Sequence, residues 1–365
     1  MSSSSAIPIT LLTGFLGSGN TTLLSRLVRQ VPLTAVVMNE FGQVALDHRI
    51  LREFDAPLAL LSGGCVCCQV QGSLGPTLRN LWLGRGDGTL PAFKRVVIVT
   101  TGIAEPAPIV ETLLRDRWVA RRYALDAVIT TVDAVLAEQQ LDSHFEAVRQ
   151  VAVADRLLLT KVDLAGPEAA LAVRHRLSRL NPTAPILEVP HGEIAPEQVL
   201  DLGVFRPDAR HGRISDWLGV SCFEPIAPKL TGLSRRPEAA ATPHDQRIRG
   251  FSFSIEQPMD WSGIADAVAS LIEFAGARLL RMKAIVNVVG QSQPVILHAV
   301  QHILHPPQTL EAWPDTDRAS HFVFITADLD ADFVAGLLGE FALAARSNPG
   351  VPTSGQTVVI KESDS

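Results

Sequence analysis

No apolar run in this 365-residue sequence approaches the roughly 18 residues that a membrane-spanning helix requires. The N-terminal Met1-Ser2-Ser3-Ser4-Ser5 lacks the basic-then-apolar order of a signal peptide. A basic excess is missing too. The 32 Lys and Arg stand against 38 Asp and Glu, and the net charge of −6 gives no general attraction to nucleic acid or anionic membrane. Cysteine is scarce, four in all, and three of them crowd into Cys65-Val66-Cys67-Cys68. Neighbours this close are poor partners for a structural disulfide, which excludes a secreted disulfide scaffold. The sequence contains no internal repeat. These absences leave a soluble cytoplasmic protein with no nucleic-acid and no membrane partner.

What is present is a globular composition, 47% hydrophobic and 19% charged, over a length that suits two domains. From residue 7 to about 200, apolar strand candidates (34–38, 58–61, 96–99, 127–132, 156–159, 185–189) alternate with helix candidates (21–30, 73–82, 146–154, 168–180). That alternation predicts an α/β fold with a mostly parallel, doubly wound sheet covered on both faces. Prolines and small or polar residues dominate 225–246, which reads as linker. A second unit follows, with strands at 248–255, 284–289, 295–300 and 321–326 and helices near 264–274 and 331–344. The expected organisation is an α/β domain over 1–205, a linker over 206–246, a smaller α+β domain over 247–346 and a flexible tail over 347–365.

The sharpest absence is a single lysine. Gly14-Phe15-Leu16-Gly17-Ser18-Gly19-Asn20-Thr21-Thr22 lies between an apolar run and Leu23, Leu24, Leu27 and Val28 at helical spacing. Strand, glycine-rich turn and helix N-terminus together make a phosphate-binding P-loop, G-x-x-x-x-G-K-[ST], in which Asn20 stands at the lysine position. Gly14, Gly17, Ser18, Gly19, Asn20, Thr21 and Thr22 are the expected phosphate contacts, with the Thr21 hydroxyl placed for Mg²⁺. The bland alternative is a glycine turn that binds nothing. Losing a charge-assisted hydrogen bond of roughly 1.5–3 kcal/mol weakens phosphate binding about ten- to hundredfold, and the missing charge slows phosphoryl transfer as well.

Two further motifs carry chemistry. Thr160-Lys161-Val162-Asp163 ends an apolar strand and is similar to the guanine-reading N-K-x-D, with Thr in the first position. An Asp carboxylate accepts from guanine N1 and N2, which adenine cannot match, and the lysine stem can cover the ring. An Asp here can equally be a plain helix N-cap. The cluster Ser62-Gly63-Gly64-Cys65-Val66-Cys67-Cys68 offers soft thiolates, which select Zn²⁺, Cu(I) or Co²⁺ over Mg²⁺. C-x-C-C leaves a tetrahedral shell incomplete, a state that suits transfer. Glu40, Asp47 and His48 could complete the shell, or they could form a solvated loop face and a helix cap. The cysteines could also be buried hydrophobes.

Read in order, the P-loop, Asn39-Glu40-Phe41-Gly42, Gly63-Gly64-Cys65-Val66-Cys67-Cys68, Thr100-Thr101-Gly102 and Thr160-Lys161-Val162-Asp163 resemble the CobW-type GTPases. This metallochaperone family of SIMIBI-class P-loop proteins also includes nitrile hydratase activators. Arg281-Met282-Lys283, His298-Ala299-Val300-Gln301-His302 and Trp313-Pro314 extend the resemblance into the family's smaller C-terminal domain. The resemblance implies a GTP-hydrolysing insertase that uses Mg²⁺ and holds Zn²⁺, or Co²⁺ in some members, on Cys65, Cys67 and Cys68. Thr160, Lys161 and Asp163 would read the base. A client metalloprotein would receive the metal, and a homodimer is a possible assembly.

The sequence also departs from the family pattern. Val99 stands where the family has a Walker-B-like glutamate before Thr-Thr-Gly, Gln43 and Glu105 replace a glutamate and an aspartate, and Ala284 replaces a glycine. The family's His-rich linker is reduced to His191, His211 and His244, expected at the surface. With Asn20 and Val99 both degenerate, no catalytic residue is assigned and hydrolysis is expected to be severely reduced. The rival expectations are a nucleotide-independent metal-binding scaffold, a cobalt chaperone for cobalamin biosynthesis, and an ordinary P-loop kinase or ATPase.

Overall fold

Runs that are apolar at every position, such as Val96-Val97-Ile98-Val99, become strands buried on both faces, because alternate side chains point to opposite sides of the pleat. The computed structural model describes residues 6–38, 58–60, 68–203, 218, 234–235, 247–314 and 316–344. Its first half comprises β1 (Ile7–Gly14), α1 (Asn20–Gln30), β2 (Thr34–Met38), β3 (Leu58–Leu60), α2 (Cys68–Asp87), β4 (Arg95–Val99), α3 (Ala107–Arg115) and α4 (Arg117–Ala120). There follow β5 (Tyr123–Asp133), α5 (Ala137–Ser143), α6 (Phe145–Val153), β6 (Arg156–Thr160), α7 (Val162–Ala165), α8 (Pro167–Leu180) and β7 (Ile186–Val189).

The seven strands form one parallel sheet in the order β3-β2-β4-β1-β5-β6-β7. Ile9, Leu11, Val96 and Ile98 face the layer of α2 and α3, where Leu74, Leu78, Ile109 and Val110 pack. Leu12, Val97 and Val99 face α1 through Leu23, Leu24, Leu27 and Val28. Burying each of these side chains contributes about 1.5–3 kcal/mol. Connections run outward in opposite directions from β1 and β5, so the crevice beyond their carboxyl ends is the natural ligand site of such a sheet.

The second half pairs β8 (Ser234–Arg235), β9 (Ile248–Ile255), β10 (Leu279–Val286), β11 (Val295–Val300), β12 (Ile303–Leu304), β13 (Gln308–Thr309) and β14 (Ser320–Ala327) in an antiparallel sheet. Two helices, α9 (Trp261–Ala275) and α10 (Ala331–Ala344), cover one face through Ile264, Val268, Leu271, Val334 and Leu338. Part of the segment read as linker belongs to this sheet: Ser234 and Arg235 pair with β9, and Leu218 packs on Ile285 and Leu310. The rest of 206–246 lies outside the described residues, as does 347–365.

Three element starts lie well before the positions that the sequence predicts. Helix α2 begins at Cys68, not residue 73, and runs through Pro76 as expected; Gly72, a poor helix former, concealed its first turn. Strand β5 begins at Tyr123 rather than 127 because Asp126, which breaks the apolar run, is buried and accepts from the Leu202 and Gly203 amides at 3.0 and 2.7 Å. Strand β10 begins at Leu279, so Arg281 and Lys283 lie inside it. Their charges break the pattern, yet both are about 1% exposed.

The face of the second sheet away from α9 and α10 meets the first half, and Arg281 and Lys283 point there, two residues apart. The Arg281 guanidinium donates to the Val153 carbonyl and pairs with Asp155, whose other oxygen accepts from the Val128 amide at 2.9 Å. Lys283 Nζ lies 4.0 Å from the same carboxylate, and burial followed by repulsion from Arg281 holds its pKa well below the ordinary lysine range. Beside them the His298 and His305 rings stack at 4.5 Å. Burial, then the Arg281 charge, depresses both imidazoles, His305 to about 3.

Candidate functional site

The turn after β1 is shaped by positions only glycine fills easily. A Cβ on Gly14 would meet Thr131 Oγ1 at 2.2 Å, while Gly17 and Gly19 adopt φ of 77° and 100°. No side chain caps the start of α1, so its first amides face the turn. A Cβ on Gly17 would meet nothing within 4 Å, which leaves the outer face of the loop open to an anion. The backbone therefore fits a polyphosphate.

The Asn20 side chain is directed into the protein. Its Nδ2 donates to the Gly14 carbonyl at 3.3 Å and its Oδ1 accepts from Thr131 Oγ1 at 2.7 Å. Ser18 Oγ lies 2.6 Å from the same threonine oxygen, and with the Thr131 proton committed to Asn20, the Ser18 hydroxyl is the donor. Thr160 Oγ1 closes the ring by donating to the Ser18 carbonyl at 2.8 Å. The loop is thus held by a chain of neutral hydrogen bonds from β5 and β6. Two nearby cations are already paired, Lys161 with Asp133 at 2.7 Å and Arg26 with Glu193 at 2.9 Å.

Thr100-Thr101-Gly102 packs directly on this loop. Thr100 and Thr13 hydroxyls meet at 2.7 Å, and a Cβ on Gly102 would meet the Leu16 nitrogen at 2.6 Å. Gln150 Nε2 holds the segment by donating to the Gly102 and Ala104 carbonyls at 3.1 Å each. Thr101 Oγ1 is buried there without a hydrogen-bond partner among the described residues. Val99 is 3% exposed and packs with Leu12 and Met38, so the position that resembles the family's glutamate is a hydrocarbon contact in this chain. Glu105 pairs with Arg149.

After β6, Lys161 takes a left-handed φ of 56° and precedes the single turn α7, which carries Asp163 and an exposed Leu164. His191 Nδ1 lies 3.7 Å from Asp163 Oδ2, in a turn whose Gly192 would, as alanine, touch Thr22 at 3.1 Å. The structure therefore brings together all of 14–22 with Thr160, Lys161 and Asp163. It adds Thr131 and Asp133, which no motif marks, and His191, expected only at the surface. Thr131 and Asp133 end an apolar strand, a signal that was visible; nothing local distinguished His191, which was read only as a surface residue, and its side chain is indeed 66% exposed.

Of the metal candidates, Cys65, Cys67, Glu40, Asp47 and His48 lie outside the described residues, and so does Gln43. Cys68 is the first residue of α2, a helix start where a loop had been expected. Among the described residues no group of three or more His, Cys, Asp or Glu is placed to hold a metal ion. No helix among them is long and apolar enough to cross a membrane. Met38 pairs with Leu60 and Val99, and Val99 with Leu12. The segments leading to Glu40 and to the cysteines therefore leave the same sheet edge as the phosphate loop.

Comparison with known proteins agrees with this architecture. Residues 8–188 match the CobW/HypB/UreG nucleotide-binding domain and residues 248–342 the cobalamin synthesis protein cobW C-terminal domain. The chain is 32% identical over 326 residues to a protein named zinc chaperone YjiA of Escherichia coli, covering 88% of this chain and 95% of that one. It is also 32% identical over 380 residues to one named zinc chaperone CobW of Pseudomonas aeruginosa, covering 91% and 90%. Among solved structures, a Zn(II)-bound triple mutant of the YjiA GTPase superposes with a TM-score of 0.69 at 26% identity, over 92% of this chain and 99% of that one. Matched along both of its halves and across the lengths of these relatives, the chain belongs to the CobW family of P-loop proteins.

Proposed function

We propose that this protein is a zinc metallochaperone that binds GTP and passes zinc from Cys65, Cys67 and Cys68 to a client metalloprotein, with its hydrolytic step impaired. The observation that carries the second clause is the inward-turned Asn20: the backbone cradle is complete, but no lysine extends from it. The zinc assignment rests on softness of the thiolates and on the names of the relatives. Glu40 and Asp47 are candidates to complete the shell.

Gly14 to Thr22 would hold the phosphates through backbone amides, Thr21 would meet Mg²⁺, and Lys161 and Asp163 would read guanine. Bound Mg²⁺ supplies charge neutralisation between the phosphates. The chain's own contribution is positioning: the Thr131 and Thr160 hydroxyls fix the loop, and Asp133 fixes Lys161. The working units are 1–205 and 247–346, the second extended by Leu218 and β8 from the joining segment 206–246, with 347–365 following. Because the cysteine-bearing and phosphate segments start from one sheet edge, filling one site is expected to rearrange the other.

The test has two arms. A fluorescent GTP analogue is titrated into the full chain with and without Mg²⁺, with ATP as competitor. Metal content after expression is compared with the Cys65→Ser/Cys67→Ser/Cys68→Ser variant. Mg²⁺-dependent GTP binding together with zinc lost in the variant is the expected result. Equal metal in both proteins overturns the ligand assignment, and cobalt in place of zinc moves the protein to the cobalt reading. Metal retained without any GTP binding supports a second reading, favoured by Asn20 and Val99, in which the protein is a nucleotide-independent scaffold.

A further inference from the structure

At the opposite edge of the parallel sheet, where β4 and β5 begin, the C-terminal half of α2 and the short α4 carry a ladder of guanidinium and indole groups. Arg122 lies 4.1 Å over the Trp118 ring and 5.6 Å over Trp82. Arg79 lies 5.6 Å over Trp118 and Arg85 5.9 Å over Trp82, and the two indoles meet edge-on at 6.3 Å. The indoles pack inward on the core, so the guanidinium groups form the outer layer. Leu83 beside them is 60% exposed.

The local charge is unlike that of the chain. Residues 79–95 and 111–122, which flank this edge, hold eight Lys and Arg against three Asp and Glu, in a protein of net charge −6. Arg79 pairs with Asp116 and Arg115 with Glu111. Lys94, Arg117 and Arg121 are exposed, with no carboxylate partner among the described residues. Arg79, Arg85 and Arg122 each spend one N–H within the protein, on Asp116, the Phe93 carbonyl and the Trp118 carbonyl, and stacking on the rings fixes the rest of each guanidinium fork, the geometry that matches a carboxylate.

We propose that this face docks an acidic polypeptide segment carrying an apolar side chain. The carboxylates would meet Arg117, Arg121, Arg122 and Lys94, and the apolar group would settle against Leu83 and the indole edges. A polypeptide fits better than nucleic acid because the basic area is a patch on an acidic protein, and a longer polyanion would be repelled beyond it. The face lies at the amino ends of the strands while the phosphate loop lies at their carboxyl ends, so docking leaves the nucleotide edge uncovered.

The experiment uses the full chain and a short fluorescein-labelled peptide in which Glu alternates with Leu, read by fluorescence anisotropy. Saturable binding is expected, weakened about tenfold or more by Arg117→Glu/Arg121→Glu and by raising salt from about 0.05 to 0.3 M. Both substituted residues are exposed, and an unchanged thermal midpoint confirms that the variant is folded. The proposal fails if the peptide does not saturate, or if the variant binds it as well as the original chain. It also fails if a single-stranded oligonucleotide or a phosphatidylserine vesicle binds more tightly than the peptide at equal charge.

Discussion

Replacing Asn20 with lysine tests the central reading most directly. In the present structure Asn20 makes one good hydrogen bond, from Thr131 at 2.7 Å, and one long one, to the Gly14 carbonyl at 3.3 Å. A lysine ammonium can still donate to Gly14 but cannot accept from Thr131. The Thr131 proton then falls back on the Thr13 carbonyl at 3.4 Å, a poor bond. The ligand-free protein should therefore lose about 1 kcal/mol, a drop of roughly 2–4 °C in midpoint for a chain of this size. Against phosphate the new cation gains a charge-assisted bond of about 1.5–3 kcal/mol, which makes GTP binding roughly ten- to hundredfold tighter. Titration with a fluorescent GTP analogue in Mg²⁺, beside thermal unfolding of the ligand-free variant, reads both terms. An affinity within twofold of the original in a folded variant would refute the view that the cradle lacks only its charge.

Three other outcomes follow from the geometry. Gly102→Ala drives a Cβ to 2.6 Å from the Leu16 backbone, so nucleotide affinity should fall at least about tenfold with the sheet intact, as titration and circular dichroism would show. Arg281→Met leaves the buried Asp155 with the Val128 amide and, as its remaining cation, Lys283 at 4.0 Å, and urea unfolding should report a loss of about 3 kcal/mol, much of it recovered by Asp155→Leu in the same chain. Stability should also fall with pH. His298 and His305 are held neutral in the fold by burial beside Arg281 and Lys283, whereas unfolded imidazoles bind a proton below about 6.5. Each depressed imidazole therefore costs about 1.4 kcal/mol per pH unit as pH falls from 6.5 towards His305's value of about 3. Urea unfolding between pH 6.5 and 5 should show this slope, reduced by about half in His305→Phe, and an unchanged slope would mean the rings are not buried neutral.

How far the sequence could be read depended on the range of the physics involved. Continuous apolar runs such as 96–99 announced buried parallel strands, and the glycines of 14–19 announced the anion turn, because pleat, helix pitch and positive φ are local properties. Where a buried charge was satisfied from far along the chain, local reading failed. Asp126 cut short the predicted β5 and Arg281 the predicted β10, since their partners, Gly203 and Asp155, lie 77 and 126 residues away. Gly72 likewise hid the first turn of α2, while the helix across Pro76 was expected from residue 73.

The same division holds at the site. Sequence by itself determined the family, the glycine turn, the Thr160-Lys161-Val162-Asp163 motif and the asparagine at the P-loop lysine position, because each is written in consecutive residues. Only the tertiary structure decided that Asn20 turns inward onto Thr131, that Asp133 occupies Lys161, that His191 stands beside Asp163, and that Val99 is core. Those facts depend on which strand ends become neighbours in the sheet, and that order is set by packing over the whole chain.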